Sequence, residues 1–375
     1  MESIEEGLDV LPPAHQKNPH AVPLLQNQDA AKRRDIDDGL YAGVDAASYL
    51  DNPRMSRTPL TEANRSAMHV EHRYKSEREA TKSMNLGTAI HAAVLEPMHY
   101  ENEYAISPQC CAETGSGSRC SGNASKRFTL PVEELPSKDA APEEFETFPL
   151  NYEGDKREVT RRWYCDQYGH AAKFGKVDGR QIQHDRVEPI SEDQAEKVER
   201  MREALYQHPD ANKYLWDLDG VNEAVAFWTD PKFGVPMKSR YDRFIYEDDE
   251  DTVEVGQESE KQEVGRPVIV DLKSTRNASL EEFQRDIGNR RYHFQAATYV
   301  RGARSLGWPR PKWVFVCVEN EEPFGVATYE LKPETISTAE NEVRSAMRVV
   351  AEAMDEDQWS GYPPYTRQIG KPRWA

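Results

Sequence analysis

The sequence predicts an α/β fold, a mixed central β-sheet flanked by helices, and three stretches predict it. Val268 to Lys273 is a buried-type apolar strand, Glu223 to Tyr246 reads as two strands about a turn, and Tyr292 to Val300 places its side chains at helical spacing. Strands interleaved with helical segments in this way point to a layered α/β architecture.

In chain order, residues 1–38 mix proline, glutamine and charge without sustained periodicity, which reads as a flexible arm before one domain over 39–375. Leu86 to Leu95 is a short apolar helix stopped by Pro97. Gly87, His91 and Leu95 share one stripe of it, so the glycine admits a neighbouring backbone and leaves the imidazole room to reach a site. A lone histidine on such a helix more often serves the core than a ligand.

Residues 108–172 are expected as an insertion, with Pro131, Pro136, Pro142 and Pro149 suggesting irregular loop. Cys111 and Cys120, followed by Cys165 and His170, look like two halves of a small zinc module, since thiolates and one imidazole suit Zn²⁺. Cys110 could replace Cys111. An iron–sulfur cluster on the four cysteines is a weaker reading, and ordinary reduced cysteines are the plain alternative.

Glu223 to Trp228 and Met237 to Tyr246 are expected to pair around a turn at Asp230 to Gly234. Asp242, between Tyr241 and Arg243, has no turn role, so it wants a metal or a counter-charge such as Arg240 or Arg243. Glu247 to Asp251 opens an acidic run, 247–265, expected as a solvated hairpin insertion.

On the strand Val268 to Lys273, Asp271 and Lys273 are two residues apart and share a face. A carboxylate there can hold a hard divalent cation and an ammonium can sit beside its bound water, the minimum for metal-assisted phosphodiester hydrolysis. A strand end entering a solvated loop gives the same pattern by chance. Next, Ser279 and Glu282 have capping-box spacing for a helix whose inner face is Leu280, Phe283 and Ile287. Tyr292, Gln295, Ala296 and Tyr299 then line one face of another helix, and their amide and phenols need partners if buried. Trp313 to Val318 is a further apolar strand, Pro333 to Met354 looks helical, and Trp359 to Ala375 is an aromatic tail.

The net charge of −18 is unusual for a chain that would meet a polyanion. Binding to DNA needs clustered cations rather than a positive total. Arg285, Arg290 and Arg291 form one such cluster, and Arg301, Arg304, Arg310 and Lys312 another. The acidic, arginine-biased composition resembles that of proteins from salt-loving organisms. No apolar run is long enough to cross a membrane and the acidic N-terminus carries no apolar leader, so a cytoplasmic location is expected.

Gly-Thr-Ala-Ile-His at 87–91, a hairpin carrying Asp242, Asp271-Leu272-Lys273, and Gln295-Ala-Ala-Thr-Tyr299 occur in an order that resembles the PD-(D/E)XK nuclease superfamily. Its RecE-like, exonuclease VIII branch from prophages and viruses is the most similar. Leu95-Glu96-Pro97, Phe227 to Pro231, Arg291-Tyr292-His293 and the Trp374-Ala375 ending agree. The resemblance implies a restriction-endonuclease-like core in which His91, Asp242, Asp271 and the Leu272 carbonyl bind Mg²⁺ or Mn²⁺, with Glu223 a weaker candidate. Lys273 would orient or deprotonate the attacking water, and an unpaired lysine near a cation loses some proton affinity. Gln295 and Tyr299 would line the site and meet the DNA end.

The implied activity is digestion of linear double-stranded DNA from the 5′ end, exposing a 3′ strand for a single-strand annealing partner, by a homo-oligomeric ring. An endonuclease or single-strand nuclease, or an inactive DNA-end-binding accessory, are the alternatives.

Overall fold

The computed structural model describes residues 24–25, 36–76, 86–106, 110–112, 120, 124, 126–132, 147–152, 155–165, 168–174, 176–177, 180–181, 188–255 and 262–371. Most of the expected arm, residues 256–261 of the acidic run and the Trp374-Ala375 ending lie outside them.

The first elements are β1 (Leu24–Leu25), β2 (Gly39–Tyr41), α1 (Ala46–Asp51), α2 (Arg57–Thr61), α3 (Ala67–Lys75), α4 (Leu86–Leu95) and α5 (Pro97–Glu103). Then come β3 (Tyr104–Ile106), β4 (Lys126–Pro131), β5 (Thr147–Tyr152), β6 (Asp155–Tyr164), α6 (His170–Phe174), β7 (Lys176–Val177), β8 (Arg180–Gln181), β9 (Glu188–Ile190), α7 (Glu192–Gln207) and α8 (Pro209–Asn212). The chain continues through β10 (Gly220–Thr229), β11 (Pro236–Val255), β12 (Gln262–Thr275), α9 (Leu280–Asn289), α10 (Tyr292–Ser305), β13 (Lys312–Glu319), β14 (Val326–Glu330) and α11 (Pro333–Asp355). Two compact units result, residues 1–80 with 204–375 and residues 81–203.

The first unit is built on a seven-stranded sheet in the order β1-β2-β10-β11-β12-β13-β14. Only β1–β2 and β12–β13 are parallel; the other pairs are antiparallel. The expected mixed sheet flanked by helices is therefore present, with antiparallel pairing dominant. Chain connectivity explains the mixture. Short links make β10, β11 and β12 a meander, whereas parallel pairing of β12 with β13 needs a crossover, and α9 and α10 supply it.

From Val268 to Leu272 strand β12 is buried on both faces, as its apolar run demands. Alternation puts Ile269, Asp271 and Lys273 on one side and Val268, Val270 and Leu272 on the other. On the first side Ile269 joins Trp313 and Phe315 of β13, Phe283 of α9, Phe294, Ala297 and Val300 of α10, and Ile336, Val343, Met347 and Val350 of α11 in one core. Each fully buried side chain of this size contributes about 1.5–3 kcal/mol. Helix α10 comes so close to β10 that a Cβ added at Gly302 would lie 2.7 Å from Trp228 Nε1, so this position needs glycine.

Two local expectations change. Ser279 stands at the N-cap of α9 but makes no side-chain capping bond, and Glu282 pairs with Arg285 instead. Leu280 is exposed, because first-turn side chains lean toward the helix N-terminus and past the packed stretch marked by Phe283 and Ile287. Within the acidic run, expected as a hairpin, the two strands stay paired. β11 and β12 pair from Thr252↔Gly265 to Val255↔Gln262, after register shifts between Ile245 and Thr252. Bulges let the acidic strand stay in the ladder. Within it Asp251 accepts from Lys312 Nζ at 2.9 Å and Arg266 Nη1 at 3.3 Å.

The second unit holds α4 and α5, the parallel pair β3–β9, a three-stranded antiparallel sheet β4-β6-β5 and the pair β7–β8. Pro131 and Pro149, read as loop markers, lie in β4 and β5. Both strands are edges of their sheet, where a missing N–H is tolerated. Phe128, Leu130, Tyr164 and Ala171 pack there around four cysteines.

Candidate active site

Antiparallel pairing of β11 with β12 stops at Arg243↔Val270. Beyond that point β11 stays with β10 as far as Thr229↔Pro236, and β12 stays with β13 as far as Thr275↔Glu319. The sheet thus forks, and Asp242 and Asp271 are the residues on either side of the fork. Asp242 Oδ2 accepts the Leu272 N–H at 2.8 Å, so a side chain takes over where the ladder ends.

Asp271 is 2% exposed. Its Oδ1 accepts from Gln295 Nε2 at 3.2 Å, and its Oδ2 lies 2.7 Å from Lys273 Nζ. The ammonium also sits 5.2 Å from the centroid of the Tyr292 ring. Burial pulls the Lys273 pKa down, but the carboxylates of Asp271 and Asp242 outweigh it and hold the ammonium above its ordinary value.

Opposite Asp242, between the pairs Asn222↔Arg243 and Ala224↔Tyr241, comes Glu223. It adopts φ 51°, a left-handed conformation rare for a residue with a Cβ and worth about 1–3 kcal/mol of strain. Its carboxylate pairs with Arg240 Nε. Arg243 donates to Asn222 Oδ1 at 2.7 Å and to the Leu218 carbonyl. Both arginines expected as counter-charges for Asp242 are thus bonded to other acceptors.

Tyr299, one turn after Gln295 on α10, meets Tyr241 and Trp313 edge-on at 5.4 and 5.8 Å. Burial pushes its phenol well above the ordinary value; Tyr49 adds to this, Arg57 opposes it, and Asp242 and Asp271 add further. Arg57, on α2, was not singled out by any motif. Its Nη2 donates to the carbonyls of Arg290 and Arg291 at 3.1 and 3.2 Å. Burial lowers its guanidinium pKa against the pull of Tyr299, Asp271 and Tyr292, which places it beside the fork. Only long-range packing could reveal it, since nothing near Arg57 in sequence speaks of the site.

Arg285, Arg290 and Arg291, read as a DNA-facing cluster, each meet a carboxylate: Glu282, Asp286 at 3.2 Å and Glu342 at 2.8 Å. His91 is half-buried on α4, within the second unit. In that same unit Cys110, Cys120, Cys165 and His170 come together. Cys111 does not join them; its Sγ accepts the Trp163 N–H at 3.4 Å.

Among the described residues no helix is long and apolar enough to cross a membrane. Residues 262–365 match the family described as "PDDEXK-like domain of unknown function (DUF3799)". No curated protein matches the chain. A solved structure from Eubacterium rectale, described as a "putative exonuclease", is 12% identical over 85% of this chain and 90% of its own, with a TM-score of 0.43. The matched stretch supplies one arm of the fork, with Asp271, Lys273, Gln295 and Tyr299, and is similar to a PDDEXK-like domain.

Proposed function

We propose that the chain is a divalent-metal-dependent deoxyribonuclease of the PD-(D/E)XK superfamily. The observation that carries this reading is the fork itself, where Asp271 and Lys273 share a strand face, Asp242 reaches across to the Leu272 N–H, and the match to a PDDEXK-like domain covers the same strand. Two carboxylates and the Leu272 carbonyl are hard oxygen donors, which suit Mg²⁺ or Mn²⁺ rather than a soft metal. By resemblance His91 is a further ligand, and Glu223 a weaker one.

Such an ion supplies charge neutralisation of the phosphodiester and a more acidic bound water. In the reaction, a water oxygen bonds to phosphorus as the bond from phosphorus to the 3′ oxygen breaks. Asp242 and Asp271 hold the oxygen-ligand set in place. Gln295, through its bond to Asp271 Oδ1, fixes the rotamer of that carboxylate. Lys273 Nζ donates toward the attacking water and orients it. Tyr299 and the arginines 285, 290 and 291 are proposed to face the DNA end.

The finer reading follows the RecE-like resemblance: 5′ to 3′ digestion of linear double-stranded DNA by a ring-shaped homo-oligomer, leaving a 3′ strand for a single-strand annealing protein inside the host cell. The test is linear DNA labelled separately at each end, and covalently closed circles, incubated with Mg²⁺. Release of the 5′ label first, with circles spared, is expected. Cleavage of circles would replace the exonuclease with an endonuclease, and no cleavage of either would overturn the reading.

A further inference from the structure

Cys110, Cys120, Cys165 and His170 each offer one ligand atom, and all four atoms lie within 4.8 Å of one another. Cys110 Sγ is 3.5 Å from His170 Nδ1, Cys165 Sγ is 3.4 Å from the same nitrogen, and Cys120 Sγ is 3.8 Å from Cys165 Sγ. These lengths can be compared with a tetrahedron. For Zn–S of about 2.3 Å and Zn–N of about 2.05 Å, the edges between ligands are about 3.8 Å for sulfur to sulfur and about 3.6 Å for sulfur to nitrogen. These three separations fall within about 0.2 Å of the corresponding edges. No disulfide competes, since all the cysteines are free and a disulfide needs its sulfurs about 2 Å apart.

We infer that residues 110–170 hold a structural zinc ion through Cys110, Cys120, Cys165 and the Nδ1 atom of His170, separate in kind and in purpose from the oxygen-ligand site of the nuclease.

The donor chemistry selects the ion. Three sulfurs and an imidazole offer no oxygen, which excludes Mg²⁺ and Ca²⁺ as residents. A cluster of several irons would set its ligands farther apart than this compact group. Four protein ligands also leave no open position, as a structural site requires and a catalytic one forbids. The cysteines are all buried, and Phe128, Leu130, Tyr164 and Ala171 close around them with Trp163 and Phe174 at the margin.

Backbone contacts prepare the group. The Cys165 N–H points to Cys110 Sγ at 3.4 Å, the N–H-to-sulfur contact that supports a charged thiolate. Cys120 N–H donates to the Ala112 carbonyl at 2.8 Å, and Ala171 N–H to the Cys165 carbonyl at 3.1 Å, so each ligand-bearing segment is tied to another. The need for such a staple follows from scale. A three-stranded sheet with so small an apolar centre buries little surface, and a metal crosslink supplies what the core lacks.

The test uses the full chain, purified without chelator, with metal content measured by plasma mass spectrometry. About one zinc per chain, surviving dialysis against EDTA that strips the magnesium site, is expected. Cys110→Ser should lose at least tenfold in occupancy and Cys111→Ser should keep it. Cobalt exchanged into the wild-type protein should show thiolate-to-cobalt absorption and the visible bands of a tetrahedral centre, a readout that needs no variant to fold. Iron in place of zinc, an empty site, an octahedral cobalt spectrum, or loss from Cys111→Ser equal to that from Cys110→Ser would each overturn the assignment. Metal content is read without any nuclease assay, so it stands or falls apart from the proposed activity.

Discussion

Two buried acid–base pairs in the sheet unit look alike and do different things. Asp230 meets Arg301 twice, Oδ2 to Nε at 2.5 Å and Oδ1 to Nη2 at 3.1 Å, and its Oδ1 also accepts the N–H groups of Lys232 and Phe233 at 2.9 Å each. The pair joins the turn after β10 to helix α10 and so fixes a tertiary contact. Asp271 and Lys273 sit two residues apart on one strand, and their pairing links no separate elements. Charges taken out of water cost several kcal/mol each unless the fold gains from them. Asp271 meets α10 through the neutral Gln295 amide rather than through its charge partner, so stability alone does not call for the lysine, whereas a pair that docks a helix onto a turn needs no further explanation.

Substitution can break that contrast. Lys273→Ala should lower DNA cleavage per folded molecule by about 10²–10⁴-fold while DNA binding is kept. An undiminished rate would take the lysine out of the mechanism. Asp230→Asn should do the reverse, costing about 3–5 kcal/mol because it leaves Arg301 buried without its charge partner, with cleavage per folded molecule kept.

Acid should sharpen the same comparison. Burial alone would raise the Asp230 pKa, but Arg301 and the Phe233 and Lys232 N–H groups bring it below the ordinary carboxylate value. A carboxyl with a depressed folded pKa contributes its stability above about pH 4 and loses it as pH falls through the folded pKa. The Tm gap between wild type and Asp230→Asn should therefore be full at neutral pH and close below about pH 4 in thermal melts. The smallest effect belongs to Leu280→Gln, which should shift stability by less than about 0.5 kcal/mol, since the side chain is exposed despite its apolar spacing.

The parts of the site that could be read in advance were those governed by local periodicity. Asp271 and Lys273 share a face because strand geometry alternates, and Gln295 and Tyr299 share one because they are a helical turn apart. The hairpin around Asp230 and the proline stop before α5 were equally local. Non-local facts escaped that reasoning. Arg57 reaches the fork from a helix far back in the chain, and Arg291 meets Glu342, an acid on α11 that no local spacing could pair with it. The acidic run read as a hairpin from its composition, but that Lys312 and Arg266 supply Asp251 with partners from other strands was not legible locally.

Residue order alone settled which side chains of one strand or one helix turn face together, because dihedral geometry repeats every two or about 3.6 residues wherever the backbone is regular. Packing decided where the ladder of β11 and β12 ends, and with it the opening between Asp242 and Asp271. It likewise decided that Cys110 and not its neighbour faces His170. Both outcomes depend on backbone partners brought from distant positions, and no local repeat encodes those.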